Sequence, residues 1–172
     1  MTKIINDEYI EYPLEFHGHP SHYVEYFITI KSNDRLLRLN IDSGAGTNMI
    51  SNPSLRGCCY HSTNERVKAS TLFGTVETRI VMLSFVMGDK DFATASEDER
   101  FTLPFSVLNK KDNKLFSDDE YDGFLGATFL QQCDVNFREG YIRIYKDETS
   151  GTVFQALEEK AIEEEIFYGL TD

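Results

Sequence analysis

Short stretches of alternating hydrophobic and polar residues dominate this chain, a pattern typical of β-strands. Residues 22–30 (HYVEYFITI) are rich in aromatic and β-branched side chains, and the turn-forming residues 32–35 (SNDR) follow them. Residues 36–41 (LLRLNI) then continue as a second hydrophobic stretch. The first part of the chain therefore predicts a β-hairpin with a four-residue loop, whose second strand ends at residue 41.

A second hairpin is predicted at residues 66–88, where two alternating stretches turn near Gly74. Residues 88–91 (GDKD) form a predicted turn, and residues 101–108 (FTLPFSVL) form a further strand. Because Pro104 has no backbone N–H, we expect that strand to lie at a sheet edge or to contain a bulge.

The last third of the chain contains the helical patterns. Residues 109–123 are a polar, charged connection, and residues 127–133 (ATFLQQC) predict a helix of two turns. Two short strands follow at residues 133–137 and 140–146, and an amphipathic helical pattern covers residues 152–170. Many short strands with one terminal helix predict a small β-barrel-like or sandwich domain.

Composition and charge narrow the class of protein. The chain has 172 residues, which favours one domain, and its net charge of −12 argues against nucleic-acid and anionic-membrane partners. Its N-terminus lacks the apolar core of a signal peptide, and no apolar run approaches the roughly 18 residues of a membrane span. Its 3 cysteines, two of them adjacent, fit a reducing compartment. We therefore expect a soluble cytoplasmic protein.

An aspartate directly after the predicted strand 36–41 is the main chemical feature of the sequence. Asp42 opens the small-residue turn DSGAG, although aspartate is depleted in strands and rarely buried without a partner. One interpretation is an ordinary turn, in which Asp42 and Ser43 cap backbone N–H groups and Gly44 takes a positive φ. Since apolar stretches flank the turn on both sides, we favour an interior turn with a buried carboxylate suited to general acid–base catalysis.

The segment LNIDSGAGTNMIS (39–51) resembles the active-site motif of the retropepsin-like aspartic proteases, in which apolar residues flank Asp-Thr/Ser-Gly-Ala. The family's second motif is an apolar residue and Leu-Gly, followed by a short helix and a hairpin. It is similar to GFLGATFLQQCDVNFREGYIRIY (123–145), with Leu125 and Gly126 in the key places. The resemblance covers about residues 22–146 and implies a mostly β, closed, barrel-like domain of the retropepsin type.

The resemblance also implies a flap. Residues 69–85 are similar in position to the family's flap hairpin, with Gly74 near its tip, and residues 103–108 (LPFSVL) resemble the strand before the second motif. The hairpin around Gly74 is therefore expected to close over an extended peptide substrate and to exclude water.

The chemistry implied by the resemblance uses two carboxylates that share one proton, as is general for aspartic proteases. Asp42 would activate the attacking water and then protonate the leaving amine. The chain has no second Asp-Ser/Thr-Gly; Asp122-Gly123 comes closest but lacks the middle hydroxyl residue. We therefore expect a homodimer in which each chain contributes its Asp42 across a two-fold axis.

Supporting roles around Asp42 also follow from the resemblance. Ser43 would hold the facing loop of the partner, and Gly44 and Ala45 would line the cleft beside the substrate backbone. Leu125 and Gly126 would pack under this loop, where Gly126 allows close approach. The resemblance implies no cofactor.

We expect three segments: an N-terminal extension at residues 1–21, the protease domain at 22–148, and an acidic amphipathic helix at 149–172 packed on or near the domain. The helix lies where small retropepsins have a dimer-forming strand, which leaves the mode of dimerisation open. Because of this helix, a catalytically silent binding or scaffolding module with the same fold is the alternative function.

Two stretches could hold a metal ion. Their histidines and cysteines are His17, His19 and His22 in HGHPSH, and Cys58, Cys59 and His61 in CCYH, with Cys133 far along the chain. The first stretch has no adjacent carboxylate or cysteine, and adjacent cysteines on a strand point to opposite faces. We therefore favour a polar turn for the first stretch and expect no metal site.

Overall fold

The computed structural model describes residues 4–5, 9–18, 24–71, 74–88, 90–108 and 121–145. Strands make up most of these ranges, and the one α-helix within them is α1 (Ala127–Leu130). The mostly β class is therefore confirmed, whereas the retropepsin type of the domain and the flap role of the second hairpin stay predictions. Within the same ranges, no helix is long and apolar enough to cross a membrane.

In the described ranges the strands form two sheets, and the larger has eight strands. In chain order they are β3 (Glu15–Gly18), β4 (Val24–Ser32), β5 (Arg35–Ile41), β6 (Met49–Ser51), β7 (Cys59–Thr71), β8 (Gly74–Met87), β9 (Arg100–Leu108) and β10 (Gly123–Leu125). Their spatial order is β3-β4-β5-β10-β6-β9-β8-β7, and β4 also pairs with β8. The strands β4, β5, β10, β6, β9 and β8 thus close into a ring, with β3 and β7 outside it.

The smaller sheet has four strands, which are β1 (Ile4–Ile5), β2 (Tyr9–Pro13), β11 (Cys133–Asn136) and β12 (Tyr141–Tyr145), in the order β1-β2-β12-β11. Ile10 and Ile144 of this sheet lie in the same buried core as Leu39 and Phe105 of the larger sheet. Residues 9–18, which fall in the predicted N-terminal extension, therefore contribute strands to both sheets.

The hairpin of β4 and β5 has a tighter turn than the sequence predicted. Ser32 pairs with Arg35, so the turn contains two residues and the predicted four-residue loop is wrong. Asn33 adopts a φ of 51°, a left-handed conformation that asparagine tolerates better than most residues. The shorter turn keeps the two strands paired to their ends.

The strand that contains Pro104 is not an edge strand, contrary to the prediction, because β9 lies between β8 and β6. Its register with β8 is continuous from Arg100 to Val107, without a bulge. Proline is tolerated because the pairing with β6 begins only at Ser106, so Pro104 has a strand neighbour on one side only.

The second predicted hairpin is formed by β7 and β8, which pair antiparallel along most of their length. Thr71 pairs with Gly74, so the turn lies where the sequence placed it. β7 begins earlier than predicted, at Cys59, and its register shifts between Ser62 and Arg66.

The predicted helix at 127–133 is shorter than expected: α1 ends at Leu130, and β11 begins at Cys133. Most of the polar connection at 109–123 and the whole helical pattern at 152–170 lie outside the described residues.

Candidate active site

The loop between β5 and β6, residues 42–48, carries the predicted catalytic carboxylate. The backbone N–H of Asp42 donates to the carbonyl of Leu125 at 3.1 Å, and the N–H of Ala45 donates to the carbonyl of Asp42 at 3.1 Å. The Asp42 carboxylate is oriented within the loop, because its Oδ1 accepts a hydrogen bond of 3.0 Å from the N–H of Gly44. The turn thus fixes the side chain that it presents.

Asp42 is exposed in the single chain, as are Ser43 and Gly44, while Ala45 is half-buried. The expectation of a buried carboxylate is therefore wrong for the isolated chain. The flanking strands are buried because β10 lies between them, so β5 and β6 are not neighbours and the loop crosses over the end of β10. Apolar residues on both sides of a turn therefore indicate that the strands are buried, but they do not indicate that the turn is buried.

Insertion of β10 between β5 and β6 requires a residue without a side chain. Gly123 pairs with Leu39 on one side and with Ile50 on the other. A Cβ at Gly123 would lie 2.1 Å from the carbonyl oxygen of Met49, closer than real Cβ contacts. Leu125, at the other end of β10, is fully buried in the core.

Gly126 lies directly beneath the loop. A Cβ on this residue would meet the carbonyl oxygens of Thr47 at 2.3 Å and of Ala45 at 2.8 Å. The next N–H, of Ala127, donates to the carbonyl of Ala45 at 2.7 Å. Asp42 to Ala45 and Leu125 to Gly126, far apart in sequence, therefore form one hydrogen-bonded unit.

Asn48 belongs to this unit and was missed by sequence reasoning. Its side chain is buried, and its Oδ1 accepts the N–H of Gly126 at 2.9 Å. The available signal was a polar residue placed directly before the buried strand Met49–Ser51, at the end of a turn of small residues.

Gly74 is the first residue of β8 and pairs with Thr71 of β7. It directly follows the turn between β7 and β8, with a φ of 107° that favours glycine. Nothing lies within 4 Å of the position that a Gly74 Cβ would take.

Asp122, the nearest approach to a second motif, has a structural role. Its Oδ1 accepts the hydroxyl of Ser54 at 2.7 Å, and its Oδ2 accepts the backbone N–H of Arg38 at 2.9 Å. It lies beside Arg38 of β5, whose carbonyl accepts its N–H, whereas Asp42 follows Arg38 by four residues, so about 13 Å of strand separates the two aspartates. The two carboxylates therefore cannot share a proton within one chain.

The predicted alternative metal ligands do not converge in the described part of the chain. No group of three or more His, Cys, Asp or Glu side chains in those ranges could hold a metal ion. His17 is exposed on β3, and His19 and His22 lie outside the described residues. Burial raises the pKa of the Cys58 thiol, and it raises the pKa of the Cys133 thiol to about 12. Both thiols are thus neutral at physiological pH and poor nucleophiles.

Comparison with known proteins finds no matching family model and no curated protein with significant similarity to the chain. The interpretation of the site depends on its own geometry and on the two motifs in the sequence.

Proposed function

We propose that the protein is an aspartic endopeptidase that acts as a homodimer, with one Asp42 from each chain. The observation that carries this proposal is the way the Asp-Ser-Gly-Ala loop is held. Backbone groups of Leu125 and Ala127 bind the loop at Asp42 and Ala45, and the carboxylate is oriented yet open to solvent. A rigid, accessible carboxylate on a turn of small residues suits attack on a peptide backbone.

The proposed chemistry needs a second carboxylate beside the first, because two like charges at short range cannot both ionise and one retains a proton. The ionised Asp42 takes a proton from water, whose oxygen attacks the peptide carbonyl carbon. The protonated Asp42 of the partner donates its proton to the carbonyl oxygen. Collapse of the tetrahedral intermediate breaks the C–N bond, and a carboxyl group protonates the leaving amine.

A two-fold axis between the loops would also complete the cleft. Ser43 is exposed beside Asp42, where its hydroxyl can hold the facing loop of the partner. Gly44 and Ala45 would lie next to the backbone of an extended substrate, and the hairpin that contains Gly74 would close over it. The exposure of Asp42 in the single chain is consistent with a surface that a second chain covers.

Cleavage of a peptide library, measured between about pH 3 and pH 7, tests the proposal. Asp42→Asn should abolish cleavage because an amide can neither take nor give the proton. Asp34→Asn, at an exposed aspartate in the turn between β4 and β5, is the matched control and should leave cleavage unchanged. Cleavage that survives Asp42→Asn would refute the assignment.

The second candidate function is a binding or scaffolding module without catalysis. It is favoured by the distance between Asp42 and Asp122, since one chain then holds only half of a catalytic pair. This function predicts a wild-type chain that cleaves no peptide and two Asp42 carboxylates too far apart to share a proton. A dimer with those carboxylates in hydrogen-bond contact would exclude it.

A further inference from the structure

The amide of Asn48 connects three separate parts of the chain. The residue is 2% exposed and lies at the junction of the loop and β6. Its Oδ1 accepts the N–H of Gly126 at 2.9 Å, and its Nδ2 donates to the carbonyl of Pro104 at 3.2 Å. Its own carbonyl accepts the N–H of Ser106 at 2.9 Å.

Both groups that Asn48 binds need a partner at this place. The N–H of Gly126 lies where the chain leaves β10 and enters α1, so neither a strand ladder nor a helix turn satisfies it. The carbonyl of Pro104 lies in the part of β9 that precedes the pairing with β6. A buried polar group without a partner is costly, and the amide of Asn48 satisfies one donor and one acceptor at once.

We propose that Asn48 is a positioning residue for Asp42, an inference that rests on the proposed function. The bond to Gly126 fixes the end of the loop on the same short segment whose neighbours, Leu125 and Ala127, hold the start of the loop. The bond to Pro104 fixes the same side-chain amide to β9. Loss of either bond frees Gly126 to shift under the loop and moves the Asp42 carboxylate relative to its partner.

The chemistry of the side chain gives a direct test. Leucine has nearly the same shape as asparagine but neither hydrogen-bonding group. A neutral aspartic acid has one donor and one acceptor, whereas an ionised aspartate only accepts. The variant Asn48→Asp should therefore support both bonds when protonated and lose the bond to Pro104 when ionised. Burial and the facing carbonyl oxygen disfavour the ionised form, which raises the pKa of this carboxyl above its usual value.

The first measurement is amide hydrogen exchange, which needs no activity. In Asn48→Leu, exchange at Ala45 and Gly126 should accelerate by about tenfold or more, with little change at Leu83 in the centre of β8. The matched control is Ser32→Ala, at the last residue of β4, which removes a buried hydroxyl that donates to the carbonyl of Ser84 on β8. This control should lower stability without a selective change at the loop.

The second measurement is the peptidase pH profile. Asn48→Leu should lower kcat by about 100-fold with little change in KM, as expected for a misplacement of about 1 Å. Asn48→Asp should retain near wild-type kcat at acidic pH and lose it as the pH rises through the pKa of the new carboxyl, while the wild type keeps its own profile.

Unchanged exchange at Ala45 and Gly126 in Asn48→Leu overturns the inference. An Asn48→Asp profile identical in shape to that of the wild type also overturns it. If Asn48→Leu does not fold, amide exchange is measured instead in Asn48→Asp, above and below the pKa of its new carboxyl. Exchange at Ala45 and Gly126 should accelerate when that carboxyl ionises. A third outcome is faster exchange confined to Ala45 and Gly126 in Asn48→Leu, combined with a wild-type chain that cleaves no peptide. This outcome supports the role of Asn48 in positioning the loop and refutes only the proposed function.

Discussion

Replacement of Gly126 by alanine tests whether close packing under the loop holds the candidate site. The new Cβ would lie 2.3 Å from the carbonyl oxygen of Thr47 and 2.8 Å from that of Ala45, and both atoms are backbone. Ordinary van der Waals contact begins at 3.4 Å, so the loop must move by about 1 Å. The backbone of Gly126, at φ −100° and ψ −174°, suits alanine, so the effect is steric alone.

The expected decrease in the free energy of unfolding follows from this displacement. Overpacking of a dense interior typically destabilises by about 1–3 kcal/mol. For a chain of this size, each kcal/mol lowers Tm by roughly 2–4 °C, so the variant should melt about 2–12 °C below the wild type. A shift of about 1 Å at the carboxylate should lower kcat by about 100-fold.

Gly46→Ala is the matched control, because it makes the same change in the same loop. Nothing lies within 4 Å of the Cβ that it adds, and Gly46 has no positive φ. Thermal unfolding followed by circular dichroism, and peptide cleavage, should therefore resemble the wild type in this variant. Equal behaviour of Gly126→Ala and Gly46→Ala would refute the argument that contact under the loop holds the site.

Three further predictions concern assembly, the N-terminal strands and a buried thiol. Adding excess Asp42→Asn chain to the wild type should lower activity per wild-type chain in proportion to the wild-type fraction; unchanged activity would contradict a shared site. Deletion of residues 1–14 removes the buried Ile10 and Tyr12, each worth about 1.5–3 kcal/mol, and should lower Tm far more than deletion of residues 1–8; equal effects of the two deletions would contradict this. Cys133, with its pKa raised to about 12, should resist thiol reagents at pH 8 in the native state but react after unfolding; rapid native labelling would contradict this. Because the unfolded thiol ionises first, the stability from this group is present below its usual pKa of 9.0 and is lost as pH rises towards 12.

Local patterns predicted the parts of the fold that local contacts determine. The hairpins β4–β5 and β7–β8 are antiparallel neighbours in sequence, so alternation and turn residues sufficed to locate them. The exact turn at Asn33 was missed because the same residues can form a loop of two residues or of four. The length of the loop depends on whether Ser32 and Arg35 pair, as they do in the structure.

Long-range pairings could not be read from periodicity. The parallel pairing of Gly123 with Leu39, and the position of β9 inside the sheet, have no local signature, and the prediction for Pro104 failed for this reason. The candidate site was located through two sequence motifs and not through hydrophobic periodicity or turn chemistry. Its exposure at Asp42 and its bond to Asn48 depend on where β10 inserts, which only the three-dimensional structure gives.

The insertion of β10 between β5 and β6 has a consequence for the order in which the protein matures. Arg38 and Asp122 are 84 residues apart, and Asn48 and Gly126 are 78 residues apart, so the contacts that hold the loop belong to the slow class of folding events. A nascent chain exposes Asp42 well before the ribosome has made Gly126. The carboxylate therefore reaches its native geometry late in synthesis, only after the segment that holds its loop has been made.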